Sequence, residues 1–210
     1  MKVLGVIPAR YASTRFPGKP LIQINGKSMI ERVYMQAKKS DRLHDVIVAT
    51  DDQRIADEVL SFGGLVQLTA TDHQSGTDRC AEVARSLSSY DVIINIQGDE
   101  PYISPEQINL LISCFDLPET KLATLIKVID SEEELFNVNI PKVTINTNGE
   151  AIYFSRQTIP FIRGKAQSEW LVQNKFFKHI GIYGYHAQTL QLITQLMPSM
   201  LEYAESLEQL

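Results

Sequence analysis

Over the first two thirds of the chain, continuous apolar runs alternate with stretches in which apolar residues return every three or four positions. Residues 3–7, 46–49 and 92–96 are continuous runs, as expected of parallel strands covered on both faces, and 65–68 is a shorter one. Helical stretches lie between them. Ser28 can cap a helix that places Ile30, Val33, Tyr34 and Ala37 on one face. Asp51 or Asp52 can open the next, whose face is Ile55, Ala56, Val59 and Leu60, and Gly63-Gly64 stops it. A third begins near Asp78, carries Arg79, and has Cys80, Ala81, Val83, Ala84 and Leu87 on its apolar side. Ser104-Pro105 starts a fourth, running through Cys114. Asn25-Gly26 is a tight-turn signal.

Beyond about residue 121 the rhythm changes. Residues 121–129 form an extended segment, 142–145 and 151–154 flank an Asn148-Gly149 hairpin signal, 176–185 is a mixed aromatic strand, and the remainder is helical. The pattern predicts an α/β protein with a doubly wound, mostly parallel sheet and a smaller mixed α+β lobe. The expected division is a core over 1–130, a lobe over 131–187 and a helical return segment over 188–210. Repeats, low-complexity tracts and clear linkers are absent from the sequence.

With 210 residues and 44% hydrophobic composition, the chain can bury one sizeable core. A formal net charge of −5 argues against a nucleic-acid partner. An acidic protein that handles a polyphosphate also calls for a divalent metal to balance charge. Cys80 and Cys114 read as small, buried residues in a reducing compartment. Lys2 precedes an apolar run that Arg10 cuts short, unlike a signal peptide, and no run approaches transmembrane length. The expectation is a cytoplasmic protein without membrane insertion.

Against that acidic background, residues 7–19, IPARYASTRFPGK, stand out. Arg10, Arg15 and Lys19 fall within ten residues, with the hydroxyls of Ser13 and Thr14 between them and a Pro17-Gly18 turn. A cationic loop leaving the C-terminal end of a parallel strand suits a polyphosphate, because guanidinium forks and a lysine point charge match phosphate oxygens. The charges alone would also fit a solvated loop. The run 92–96 ends in Gln97-Gly98-Asp99-Glu100-Pro101. Carboxylates beside a glycine at a strand end suit a metal or acid/base position, or equally a turn whose Asp caps a helix. Gly26-Lys27-Ser28 imitates the end of a Walker A loop, but position 21 is Leu where its first glycine belongs. Residues 1–40 hold no G-x-G-x-x-G, which removes a nicotinamide oxidoreductase.

Six blocks occur in register: IPARYASTRFPGKPL at 7–21, VATDD at 48–52, HQSGTDR at 73–79, NIQGDEP at 95–101, YFSRQTIP at 153–160 and HIGIYGY at 179–185. Together they resemble the 3-deoxy-manno-octulosonate (Kdo) cytidylyltransferases, a family with the nucleotide-diphospho-sugar transferase fold. The resemblance implies transfer of CMP from CTP to Kdo with release of pyrophosphate. It makes Arg10, Lys19 and Asp99 catalytic. Ala9, Arg10, Ser13, Thr14, Arg15, Lys19, Ser75, Gly76 and Arg79 would hold CTP, and Asp99 would bind Mg2+. Gln97, Arg156, His179, Tyr183 and Glu208 would receive the sugar acid, although His179 alone reads as a core histidine. A homodimer with the later hairpin region at its interface is implied too.

Alternatives remain at this level. A sialic-acid cytidylyltransferase would read Gly-Ser-Lys-Gly where this chain has Tyr11-Ala12-Ser13-Thr14-Arg15. Residues 137–141 and 161–163 differ from the family's usual wording, which leaves 8-amino-Kdo open as acceptor. The family's second magnesium-binding aspartate would follow Leu210, so the chain reads as truncated at its C-terminus. A nucleotide-binding module inactivated by that truncation is the non-enzymatic alternative.

Overall fold

A computed structural model describes residues 1–12 and 16–210. The apolar run at the start becomes β1 (Val3–Ala9), buried along nearly its whole length. Asn25 and Gly26 take positive φ values of 47° and 76°, closing a two-residue ribbon of β2 (Gln23–Ile24) and β3 (Lys27–Ser28). Ser28 then caps α1 (Met29–Ala37) by accepting the Glu31 N–H at 3.2 Å. Its buried face is the expected Ile30, Val33, Tyr34 and Ala37.

β4 (Asp45–Thr50) leads to α2 (Gln53–Ser61), capped by Asp52. Leu60, expected on the buried face of α2, is 60% exposed. β5 (Leu65–Leu68) is an edge strand, so Leu65 and Leu68 are half exposed. α3 (Gly76–Ser86) starts two residues before the expected Asp78. Ser75 and Asp78 form a reciprocal capping box that satisfies the first turn. β6 (Val92–Asn95) and α4 (Pro105–Ser113), capped by Ser104, follow as expected.

The later elements are β7 (Leu122–Val128), α5 (Glu132–Phe136), β8 (Lys142–Ile145), β9 (Ala151–Ser155), α6 (Trp170–Gln173), β10 (Phe177–His186), α7 (Ala187–Ile193) and α8 (Met200–Glu205). The two short helices α5 and α6 were not legible as periodic segments. In place of the three expected spans, the chain forms two compact units, each built from two stretches. The first is Met1–Ala123 with Ile182–Gln195, and the second is Thr124–Gly181 with Leu196–Leu210. Boundaries fall inside β7 and β10 because each of these strands contributes to both units. Among the described residues, no helix is long and apolar enough to cross a membrane.

In the first unit β5, β4, β1 and β6 run parallel in that order, and residues 183–186 of β10 pair antiparallel with β6. Leu4, Val6, Ile47, Ala49 and Ile93 pack under Cys80, Val83 and Leu190. The chain leaves β1 toward β4 and returns on the other side at β6, so the strand order reverses at β1. In such sheets the crevice outside the carboxyl ends at the reversal is where ligands bind. In the second unit the β8–β9 hairpin joins residues 177–178 of β10. Its core centres on Trp170, stacked on Phe176 with ring centroids 6.1 Å apart, with Ile129 and Leu135.

The carboxyl end of β1 is crowded. A Cβ on Gly98 would lie 2.8 Å from the Pro8 carbonyl oxygen, and one on Gly76 would lie 3.2 Å from Pro8 Cγ. The Gly98 position therefore serves the approach of one strand end to another. Gly98→Ala is expected to lower unfolding free energy by about 1–3 kcal/mol, because the clash is with backbone and cannot be relieved by a rotamer. Urea unfolding measures it, and an unchanged midpoint would show that the backbone yields freely there.

Candidate active site

Two loops meet at the reversal point. Ala9 ends β1, buried and in register with Thr50. Arg10 follows, and its Nη2 donates to the carbonyls of His73 and of Ser75, the latter at 3.2 Å. Arg10 thereby fixes the loop before α3. His73 is bonded in turn to Glu82, which also accepts the Ala70 N–H at 3.0 Å. Burial pushes the Glu82 carboxyl up, but these hydrogen bonds outweigh it and leave the group below its ordinary range.

The Ser75 hydroxyl is committed to the capping box, accepting from the Asp78 N–H at 3.1 Å and donating to Asp78 Oδ2 at 2.9 Å. What this segment can offer an anion is the backbone of Gly76 and Thr77 at the start of an 11-residue helix. Ser13, Thr14 and Arg15 lie outside the described residues. The loop's ends are joined by the Gly18 N–H donating to the Tyr11 carbonyl at 2.9 Å. Gly18 has φ 73°, and the Tyr11 ring lies 3.2 Å from where its Cβ would be. On the ring sits the Arg54 guanidinium, 3.3 Å from the centroid.

Lys19 opens a short 3-10 turn and reaches Asp99, with Nζ 2.6 Å from Oδ2. Both side chains are partly exposed, at 38% and 51%. Two residues that the sequence singles out independently are therefore partners across the β1 and β6 loop ends. Gln97, just beyond β6, is half-buried. Partial burial, and then the Asp99 charge, holds the Glu100 carboxyl above its ordinary value. No group of three or more His, Cys, Asp or Glu side chains gathers among the described residues. A divalent cation at Asp99 would thus draw most of its ligands from a phosphate and water, which suits a small octahedral ion.

Arg79 takes a different place from the one expected. It is fully buried, bonded to the Thr69 hydroxyl and 3.2 Å from Asp51 Oδ2. The Asp51 contact lies off the N–H axis, and Nε and Nη2 have no hydrogen-bond acceptor among the described residues. Asp51 is accordingly drawn inward while its neighbour Asp52 caps α2. Arg79 braces the ends of β4 and β5 from beneath.

In the second unit Arg156 is held at both its backbone and its fork. Its N–H donates to Glu205 Oε2 at 2.9 Å and its Nε to the Glu205 carbonyl at 2.6 Å. Nη2 and Nη1 donate to the Ser206 and Val138 carbonyls at 3.1 and 3.3 Å. Glu205 also accepts the Ser155 hydroxyl at 2.6 Å and the Tyr153 hydroxyl at 3.3 Å. The Ser155 bond, then the Arg156 N–H, keeps its carboxyl below the ordinary range. Glu208, the expected contact, is exposed and has no hydrogen-bond or ion-pair partner among the described residues. Sequence reasoning missed Glu205, which only its pairing with Ser155 and Arg156 distinguishes from its neighbours. Tyr183 belongs to the first unit, stacked at 6.1 Å on Tyr185.

His179 Nε2 lies 2.8 Å from Thr124 Oγ1, and the ring meets Phe154 edge-on at 5.2 Å. Burial lowers its pKa to about 4, so the imidazole is neutral at physiological pH. Its backbone N–H donates to the Pro141 carbonyl at 3.0 Å.

The chain matches the model of the cytidylyltransferase family over residues 4–210. A 3-deoxy-manno-octulosonate cytidylyltransferase of Cytophaga hutchinsonii is 59% identical over 212 residues, taking in 100% of this chain and 84% of the relative. One from Parabacteroides distasonis is 58% identical over 215 residues, with coverages of 100% and 85%. A solved CMP:2-keto-3-deoxy-manno-octonic acid synthetase complexed with CTP superposes with a TM-score of 0.92 at 44% identity, covering 100% of this chain and 84% of its own. A cytidylyltransferase from Leptospira borgpetersenii, 16% identical with a TM-score of 0.62 and coverages of 100% and 71%, shares the fold.

The His179 environment yields a direct expectation. Since the folded pKa lies near 4 and the unfolded value near 6.5, the unfolded chain binds more protons between them. The His179 contribution to stability is therefore intact above pH 6.5 and declines as pH falls toward 4. The His179 ring resonances should stay at neutral-imidazole shifts from pH 8 to 5, and a midpoint near 6.5 would show that the ring is solvated.

Proposed function

The chain belongs to the cytidylyltransferase family, and from that premise we infer that it joins CTP and Kdo to give CMP-Kdo and pyrophosphate, a step of lipopolysaccharide biosynthesis. What carries the reading is identity of 59% and 58%, across the whole chain, to enzymes of that name. The anomeric oxygen of Kdo forms a bond to the α-phosphorus, and the bond to the α,β-bridging oxygen breaks. Pyrophosphate leaves with the electron pair, and the hydroxyl proton is lost.

Negative charge grows on the bridging oxygen as it departs, and fixed cations aimed there stabilise that change. Arg10 and Lys19, with Ser13, Thr14 and Arg15 of the same loop and the amides at the start of α3, are the proposed triphosphate contacts. Arg10 is already immobilised on the loop before α3, so little ordering is required of it. Lys19 must exchange Asp99 for phosphate oxygen, which frees Asp99 as the proposed carboxylate for Mg2+. Bound magnesium would neutralise phosphate charge. For the sugar acid, Arg156 and His179 are the proposed contacts. Neutral His179 can accept or donate a hydrogen bond with a hydroxyl without presenting charge.

A homodimer is also proposed. Exposed Ile152, Phe161, Val172, Met200 and Tyr203 in the second unit favour it, since apolar surface of that kind is commonly covered by a partner. A reducing, cytoplasmic setting suits Cys80 and Cys114, which form no disulfide among the described residues.

Lys19→Ala and Asp99→Asn should each reduce turnover roughly 100-fold or more, the scale of losing one preorganised charged group. Because their ion pair is partly exposed, melting temperature should shift by no more than a few degrees. A continuous pyrophosphate-release assay measures the first and calorimetry the second. Parental turnover in either folded variant would remove that residue from the chemistry.

A further inference from the structure

Lys142 opens the segment 142–145 and was not distinguished by the sequence. In the structure it is fully buried. It stands in register with Ser155 on β9 and Lys178 on β10, in the middle of the three strands. Burying an ammonium is strongly unfavourable unless hydrogen bonds compensate. Its Nζ donates to the carbonyls of Asn137 and Ile140, at 2.8 and 2.7 Å.

These two carbonyls bracket one of the three that Arg156 uses. Arg156 Nη1 donates to Val138, between the two residues that Lys142 holds. The next carbonyl along, that of Pro141, accepts the His179 backbone N–H. Residues 137–141 are thus one scaffold that meets both proposed sugar-acid contacts; within it the Asn137 side chain accepts the Asn139 N–H at 2.9 Å, and from outside it Lys142 ties its two ends together. A shorter polar side chain would not span the two acceptors, and an apolar one would leave the Ile140 carbonyl without its donor and the Asn137 carbonyl with only the Ile140 N–H, at 3.1 Å. Burial, and then the Arg156 charge, depresses the Lys142 pKa, while Glu205 opposes them, so the three groups form one electrostatic cluster.

We propose that Lys142 is a positioning residue for the acceptor: by holding residues 137–141 it sets the direction of the Arg156 fork, and so the affinity for the sugar-acid carboxylate, without touching the nucleotide. This rests on the reading of Arg156 as the carboxylate contact. It goes beyond that reading in assigning acceptor affinity to a buried residue that meets no substrate.

The test is a double-mutant cycle in the full-length protein, with KM measured separately for Kdo and CTP. Lys142→Met, which preserves length and volume, should raise KM for Kdo about tenfold while KM for CTP stays within about twofold. Arg156→Ala should raise KM for Kdo at least as much. Because Lys142 acts through Arg156, adding Lys142→Met to Arg156→Ala should cost no more than about a further twofold. Additive losses, or a KM for CTP that rises in step with that for Kdo, would overturn the proposal. An unchanged KM for Kdo in Arg156→Ala would instead overturn the acceptor reading itself, and the positioning role with it. Should Lys142→Met fail to fold, Lys142→Gln, which retains a short donor, undergoes the same comparison and is judged by the same two outcomes.

Discussion

The structure depends on how closely three backbone segments can crowd around Pro8. Gly98 brings the exit of β6 against the Pro8 carbonyl, and Gly76 brings the first turn of α3 against its ring. Neither position leaves ordinary space for a Cβ. The crowding draws a cationic loop, a helix start and a carboxylate to one end of one strand. Arg10 then ties the first of these to the second, and Lys19 ties it to the third. Chemistry at the reversal of strand order follows from packing, because larger residues at 76 and 98 would separate the parts.

Much of this was legible in the sequence, for identifiable reasons. Unbroken apolar runs marked the parallel strands, and Ser28, the Asp51-Asp52 pair and Ser104 announced helix starts because such side chains accept backbone N–H groups locally. Features settled by distant partners were hidden. Leu60 has the right period for a buried face yet is exposed. Ser75 moved the start of α3 forward through Asp78, three residues along, a signal that could have been read. The inward turn of Asp51 toward Arg79 could not, since nothing local says which of two adjacent aspartates caps α2.

Candidate side chains divide in the same way. Arg10, Lys19 and Asp99 stood out because charge at a strand end is locally unusual. Arg79, equally prominent, is wholly buried and braces the sheet. Glu205 and Lys142 drew no notice, because a helical glutamate and a strand lysine are unremarkable until their partners are known. The second unit is where sequence reasoning was weakest. Its polar groups are organised by hydrogen bonds to backbone carbonyls, some near in the chain, as for Lys142, and some far, as for Arg156, and carbonyls carry no residue identity.

The ion pair between Lys19 and Asp99 has a consequence for how an anionic ligand arrives. Lys19 already carries its own counter-ion, so its charge projects little field into solvent, and the chain's net charge of −5 repels a polyphosphate at long range. Its attraction is felt only once the ligand is near enough to compete with the carboxylate. Encounter is then governed by diffusion and short-range exchange, in place of electrostatic steering. On that account the association rate should be less sensitive to ionic strength than the number of cations in the loop would suggest.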